Sequence, residues 1–325
     1  MPKNSLNYEQ VTDKTFRPNT WDEYIGQEKI KDNLRILLTA AKQREQLPEH
    51  LLFYGPPGLG KTTLAHLISK ETGRKMKITS GPIIEKSGDL ASLLTNLDPG
   101  DIIFIDEIHR LNKNIEEILY PAMESGVLDI MLGKGPSART IQLELPPFTL
   151  IAATTKVAGL SSPLRSRFSG GAFKLEFYNK EEMKRIISQS SEKVGVEIHP
   201  AGIDEIARRS RSTPRLANYF LKRCRDYGQV HERDLEHDTV CKALEMIGYD
   251  NYGLSEHDRE YLDVIYNKFK NRPVGVKTIA SAMHEEPNTI ENVIEPYLLK
   301  IGFIERTPKG RMLTDEAKNY LINRV

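Results

Sequence analysis

The chain is poor in the residues that build small cross-linked or metal-held folds: 325 residues contain two cysteines and one tryptophan. Cys224 and Cys241 stand in a polar, helix-like region without metal-ligand spacing, so a disulfide is not expected, and reduced thiols in a cytoplasmic protein are. No apolar run approaches the length of a membrane span. The opening residues, MPKNSLNYEQ, lack the hydrophobic core of a secretory signal. Neither sign of charge prevails, with 46 Lys and Arg against 45 Asp and Glu and a net charge of +1. Bulk charge therefore gives no reason to expect nucleic acid, and any such surface must come from local clustering. What is present, 39% hydrophobic and 28% charged residues, excludes wholesale disorder and suits two or three globular domains.

The first half of the chain alternates short apolar runs with amphipathic stretches. Strands are expected at 51–55, 75–80, 101–107 and, last, 148–155. Helices are expected at 62–73, near 89–97 and at 114–124. Near-continuous apolar strands interleaved with helices predict a parallel α/β sheet with helices on both faces. Residues 127–145 break the alternation and read as a β-hairpin around a Gly-Lys-Gly-Pro-Ser turn. From Lys180 the pattern is wholly helical, and the polar, glycine-flanked GYDNYG at 248–253 marks a boundary. Beyond it come three short helices and a hairpin, FIERTPKGRMLT, turning at Pro308-Lys309-Gly310, the pattern of a winged helix. The expected division is an α/β domain over 1–179 carrying the hairpin, a helical domain over 180–250, and a winged helix over 254–325.

Residues 55–65 read GPPGLGKTTLA, and Gly55 through Thr62 fits G-x-x-x-x-G-K-[ST] between an expected strand and an expected helix. Gly58 and Gly60 let the backbone turn its amides and the helix N-terminus toward phosphates. Lys61 brings a point charge to the β and γ oxygens, and the Thr62 hydroxyl can ligate magnesium. The later run IIFIDE delivers Asp106 at a strand end, where its carboxylate can also hold magnesium. Glu107 follows and can polarise an attacking water. Joined to the phosphate loop, these acids point to ATP hydrolysis, with ATP and Mg2+ as cofactors. Thr154, at the end of the 148–155 strand, could hydrogen-bond a γ-phosphate, although threonine also favours strands for packing reasons. Arg165 and Arg167 on a short helix, and Arg215 at a helix start, are equally ambiguous, since surface arginines usually face water. His109 is assigned no chemistry.

The series GPPGLGKTTLA, FIDEIHRL, ATTKVAGLSSPLRSRF and STPRLANYF resembles the AAA+ ATPases. With RPNTWDEYIGQ at 17–27 and the terminal GFIERTPKGR, it resembles most the RuvB family of Holliday-junction branch-migration motors, from about Arg17 to Arg311. That resemblance implies an AAA+ core, a helical lid, a C-terminal winged helix and a hexameric ring. It implies that Arg167 is the arginine finger reaching a neighbouring subunit's ATP, that Thr154 is sensor 1, and that Arg215 is sensor 2. It places Phe16, Arg17 and Tyr178 at the adenine, and Thr63, Glu124, Ser125 and Gly126 among the nucleotide-contacting residues. Two departures stand out: Phe16 replaces the usual leucine, and SRFSGGAFKLEFY is one residue longer than the common pattern.

The tail is not basic overall, with 11 Lys and Arg and 11 Asp and Glu over 254–325, but its charge is clustered. Arg306, Lys309 and Arg311 flank the wing tip with Glu305 alone against them, suited to phosphate contacts that do not read sequence. In the 127–145 hairpin, Val127, Leu128, Ile130, Met131 and Leu132 are more apolar than one face of a ribbon can bury. Either the hairpin packs on its own domain or it is a partner surface. The resemblance favours the second, with the junction-recognising protein RuvA as partner and RuvC a further candidate. Holliday-junction DNA is the implied substrate, in recombination, repair and the SOS response. A clamp-loader subunit and a nucleotide-switched DNA-binding regulator are the competing readings; the wing argues against the first, the catalytic acids and finger against the second.

Overall fold

The computed structural model describes residues 15–132 and 139–324, with the backbone alone for 130–132, 139 and 140. In chain order its strands are β1 (Leu51–Tyr54), β2 (Met76–Ser80), β3 (Ile102–Asp106), β4 (Val127–Leu132), β5 (Arg139–Glu144), β6 (Thr149–Thr154), β7 (Ala172–Lys174), β8 (Ile304–Thr307) and β9 (Gly310–Leu313). Five of them form one sheet in the order β2-β3-β6-β1-β7, with every pairing parallel. The apolar runs account for this. Leu51–Phe53, Ile102–Ile105 and Leu150–Ala153 are buried throughout, as strands covered on both faces must be. Alternation sends Ile103, Ile105, Leu150 and Ala152 into a core with the helices Ser87–Thr95 and Lys113–Ser125. The helix Lys61–Thr72 packs on β3 and β6 through the opposite face.

One strand was not expected. The 148–155 strand is not the last of the sheet, because Ala172–Lys174 adds β7 beside β1, with Phe53 opposite Phe173. Its three residues are too few to show a period, so only pairing defines it.

The register sets the C-terminal ends of β1, β3 and β6 side by side: Tyr54 pairs with Thr154, and Ile105 with Ala152. Gly55, Asp106 and Thr154 thus come to one edge of the sheet, the edge at which open α/β sheets bind ligands.

β4 and β5 pair antiparallel from Val127 opposite Glu144 to Leu132 opposite Arg139. The expected turn at 133–137, and the side chains of Ile130, Met131 and Leu132, lie outside the described residues. Leu128 does not belong to an outer surface: it is fully buried in the domain core with Leu145 and Phe148. Period-two alternation gives the ribbon a root face that turns inward, so the apolar run is not all available to a partner. Ile141, opposite Ile130 in the register, is exposed.

The chain divides into two compact units, one running to Val194 and including Thr213–Arg215, the other comprising Gly195–Ser212 and Leu216 onward. The second holds the helices Pro200–Arg209 and His237–Met246 and the greater part of Pro214–His231. After them come helical segments at Glu256–Lys268 (Val264–Lys268 a π-turn), Val276–Met283 and Pro287–Lys300, followed by the β8-β9 wing. Leu254, Tyr261, Ile279, Leu298, Phe303 and Leu313 lie in one buried core. A final helix, Asp315–Asn323, capped by the Thr314 side chain, follows the wing.

Candidate functional site: a phosphate loop and its surroundings

Gly60 ends the loop at φ 99°, and a Cβ there would meet the Tyr24 hydroxyl at 2.9 Å. Gly58, at φ 78°, lies under Arg215, whose Cβ would stand 3.2 Å from an added methyl. Side chains at either position would strain the backbone and push the loop off its supports. The helix begins at Lys61, so its first amides face the loop. Lys61 Nζ donates to the carbonyls of Gly55 and Pro56 at 2.8 Å each. Burial pulls this ammonium down to about 8; Asp106 opposes the shift and Arg215 adds to it. Lys61, Asp106 and Arg215 thus share one electrostatic environment. Thr62 and Thr63 follow on the first helical turn, both partly exposed.

Asp106 ends β3 and accepts the Glu107 amide at 2.8 Å. Glu107 takes a left-handed conformation, φ 48°, rare for a residue with a side chain. Gly81 makes room for this turn, since a Cβ there would lie 2.5 Å from the Glu107 carbonyl oxygen. The Glu107 carboxylate is half exposed and pairs with Arg110 at 3.3 Å.

Thr154 is fully buried. Its hydroxyl accepts from the Lys156 amide at 2.9 Å and lies 3.0 Å from Nδ1 of His109. The hydroxyl keeps one proton and a second lone pair for the imidazole, so the tautomer of His109 sets which of the two donates. Burial holds the His109 pKa below its ordinary value, with Glu107 opposing, so the ring is neutral near pH 7. His109 is therefore the side-chain partner of the Thr154 hydroxyl, a contact that sequence reasoning did not find. The next residue, Thr155, is exposed.

Phe16 is buried, and the Arg17 carbonyl accepts from Lys193, which also pairs with Glu23 at 2.7 Å. The Tyr178 hydroxyl lies 3.1 Å from the Leu59 carbonyl and 3.2 Å from the Tyr24 hydroxyl, and burial pushes its pKa up to about 12. The two tyrosines thus brace the phosphate loop from beneath at Leu59 and Gly60. Tyr24 was also missed; no periodicity marks it, and only the close approach to Gly60 reveals it.

Arg167 has other neighbours. At the C-cap of Ser162–Ser166 it donates to the Pro163 carbonyl at 2.9 Å and to Glu124 at 2.8 Å, and lies 4.9 Å above the Tyr120 ring. None of these partners belongs to the phosphate loop. The structure therefore groups Glu124 with Arg167. Ser125 and Gly126 line a cavity of about 460 Å³ with His50, Met123 and Phe148.

Among the described residues one group brings metal-ligand atoms together: Glu205, His237 and Cys241. Glu205 is already committed to Arg208 and Arg209 at 2.5 Å each, and Arg209 also donates to the Cys241 sulfur at 3.2 Å. Two guanidinium groups repel a cation here, and the cluster is an ion-pair network.

In the wing, Lys309 is exposed at the tip. Arg306 and Arg311 are both paired with Glu295, Arg306 half exposed and Arg311 largely buried. The expectation that Glu305 alone opposes these cations does not hold, because Glu291 and Glu295 reach them from another helical segment.

Residues 16–174 match the family described as the Holliday junction DNA helicase RuvB P-loop domain, residues 178–250 the RuvB AAA lid domain, and residues 251–322 the RuvB C-terminal winged helix domain. A Holliday junction branch migration complex subunit RuvB of Dehalococcoides mccartyi (strain CBDB1) is 53% identical over 310 residues, covering 95% of this chain and 88% of that protein. Its counterpart in Fusobacterium nucleatum subsp. nucleatum is 52% identical, covering 94% and 92%. The solved Thermotoga maritima RuvB Holliday junction branch migration motor superposes with a TM-score of 0.86 at 44% identity, covering 95% of this chain and 98% of that one. A parallel α/β ATPase sheet, a helical lid and a winged helix, with these matches along nearly its whole length, mean that the chain belongs to the RuvB family of AAA+ ATPases.

Proposed function

We propose that the protein is an ATP-driven DNA translocase that moves the branch point of Holliday junctions in recombination and repair, working as a cytoplasmic hexameric ring within the SOS response. The observation that carries this reading is the grouping of catalytic side chains. Lys61, Asp106 and Arg215 surround the phosphate loop, whereas Arg167 is docked with Glu124 and Tyr120. A ring that sets the Arg167 cluster of one subunit against the phosphate loop of the next completes each site in trans.

In this mechanism the loop amides and Lys61 hold the β and γ phosphates. The Thr62 hydroxyl and Asp106 carboxylate are hard oxygen donors that suit Mg2+, which would neutralise developing charge on the phosphates. Glu107 takes the proton of the attacking water. Thr154, partnered by His109, marks the γ-phosphate edge, and Arg215 links the site to the lid. Arg167 from the neighbour stabilises the transition state, a contribution on the order of 10³ or more in turnover. Phe16, Arg17 and Tyr178 form the adenine side, with Thr63, Ser125 and Gly126 nearby. The working division is residues 1–179, 180–250 and 254–325.

The wing supplies sequence-neutral DNA contacts through Lys309, Arg306 and Arg311. The outer part of the 127–145 hairpin docks RuvA, and RuvC joins the same assembly. The test is branch migration of a synthetic four-way junction, with and without RuvA. Movement is expected only with hydrolysable ATP; migration independent of nucleotide would refute the motor.

A further inference from the structure

The wing holds fewer free cations than its sequence suggests. Arg311 donates from Nε to Oε1 of Glu295 at 2.8 Å and from Nη2 to Oε1 of Glu291 at 2.7 Å. Arg306 closes on the other oxygen of Glu295, from Nε at 2.9 Å and Nη2 at 2.5 Å. Glu295 also accepts from the Tyr261 hydroxyl at 3.1 Å and is fully buried. Glu291 and Glu295 are four residues apart, so one helical face presents both carboxylates to the wing.

The two acids are not equivalent. Both oxygens of Glu295 are engaged, and a buried carboxylate deprived of its guanidinium partners would be strongly destabilising. It is an anchor. The Glu291 side chain is 41% exposed and holds Arg311 through a single contact, so of the two carboxylates it is the one that a solvent-borne anion can reach and replace.

Resting on the reading that the wing grips DNA, we infer that Glu291 stands in for a backbone phosphate: Glu295 fixes both wing arginines, and Glu291 is the counter-ion that a phosphate displaces from Arg311. The exchange keeps the grip of Arg311 weak. A translocating protein must release every phosphate it binds, and an internal competitor lowers the free energy of letting go. Lys309, at the tip, contributes a contact that has no such competitor among the described residues. The pair Glu291 and Glu295 is thus a positioning device for DNA contacts, with Glu291 setting their strength.

The test uses the full-length protein and a four-way junction, with affinity measured across a salt series. Glu291→Gln and, as a second neutral replacement, Glu291→Ser are expected to tighten binding by roughly three- to tenfold at low salt, the gain fading as salt rises. Glu291→Asp, which keeps the charge, should show no gain. Lys309→Ala reports on the underlying reading and should weaken binding. If Lys309→Ala weakens binding but both neutral variants, with unchanged melting, bind as the wild type or less tightly, the exchange is wrong and the wing reading stands. If Lys309→Ala changes nothing, the wing is not the DNA surface and the inference falls with it.

Discussion

His109 and Thr154 are joined by a contact of 3.0 Å between Nδ1 and Oγ1, and the same oxygen accepts the Lys156 amide at 2.9 Å. Thr154→Val would take the side-chain partner from that amide and from the imidazole, both of which lie nearer the surface than Thr154. The expected cost is about 0.5–1.5 kcal/mol of stability, with a lower kcat, checked by thermal melting and steady-state ATPase.

The same contact has a pH signature. Burial lowers the His109 pKa from its ordinary 6.5, so the unfolded chain takes up a proton before the folded chain does. Stability should therefore rise with pH across the window below 6.5 and be lost as pH falls through it toward the lowered value. Melting curves between pH 5 and 7 test this, and His109→Gln should flatten that part of the profile.

Lys61 makes the opposite kind of prediction, about ligand binding. Its pKa of about 8 means that the cation is half depleted near pH 8. Phosphates bound beside it favour the charged form, so nucleotide binding should take up protons at and above pH 8 and weaken as pH climbs further. Calorimetry in buffers of different ionisation enthalpy measures the uptake. Lys61→Arg, which stays charged, should show none at this residue.

Much of this site was legible in the sequence because phosphate chemistry imposes spacing. The Gly55–Thr62 motif and IIFIDE announced the loop and the acids, and near-continuous apolar runs announced parallel strands. What stayed hidden depended on long-range approach. Tyr24 matters because its hydroxyl stands under Gly60, His109 because β3 and β6 bring it to Thr154, and β7 because it pairs with β1. The wing shows the same limit: counting charges along 300–311 could not show that Glu291 and Glu295 fold onto Arg306 and Arg311. Leu128 was misjudged for a related reason, since an apolar run does not say which alternate positions turn inward.

Arg167 is docked on Glu124 and Tyr120 within its own chain. Arg167→Ala should therefore fold and bind ATP while hydrolysing it on the order of 10³-fold more slowly. Mixing this variant with Lys61→Ala subunits should restore part of the turnover, because a phosphate loop from one meets a finger from the other. Mixtures no more active than either variant alone would place the finger in cis or remove it from catalysis.

The hairpin requires two variants, because Leu128 and Ile141 do different things. Leu128 is fully buried with Leu145 and Phe148, so Leu128→Ala should cost about 2–5 kcal/mol and lower the melting temperature with or without RuvA. Ile141 is exposed on β5, where Ile141→Ser removes apolar area without opening a cavity. It should leave melting and basal ATPase unchanged while reducing stimulation by RuvA several-fold, as measured by ATPase with and without the partner on a four-way junction. Full stimulation of Ile141→Ser would move the docking surface away from this face of the ribbon. A melting loss as large as that of Leu128→Ala would mean that the face is core and not contact.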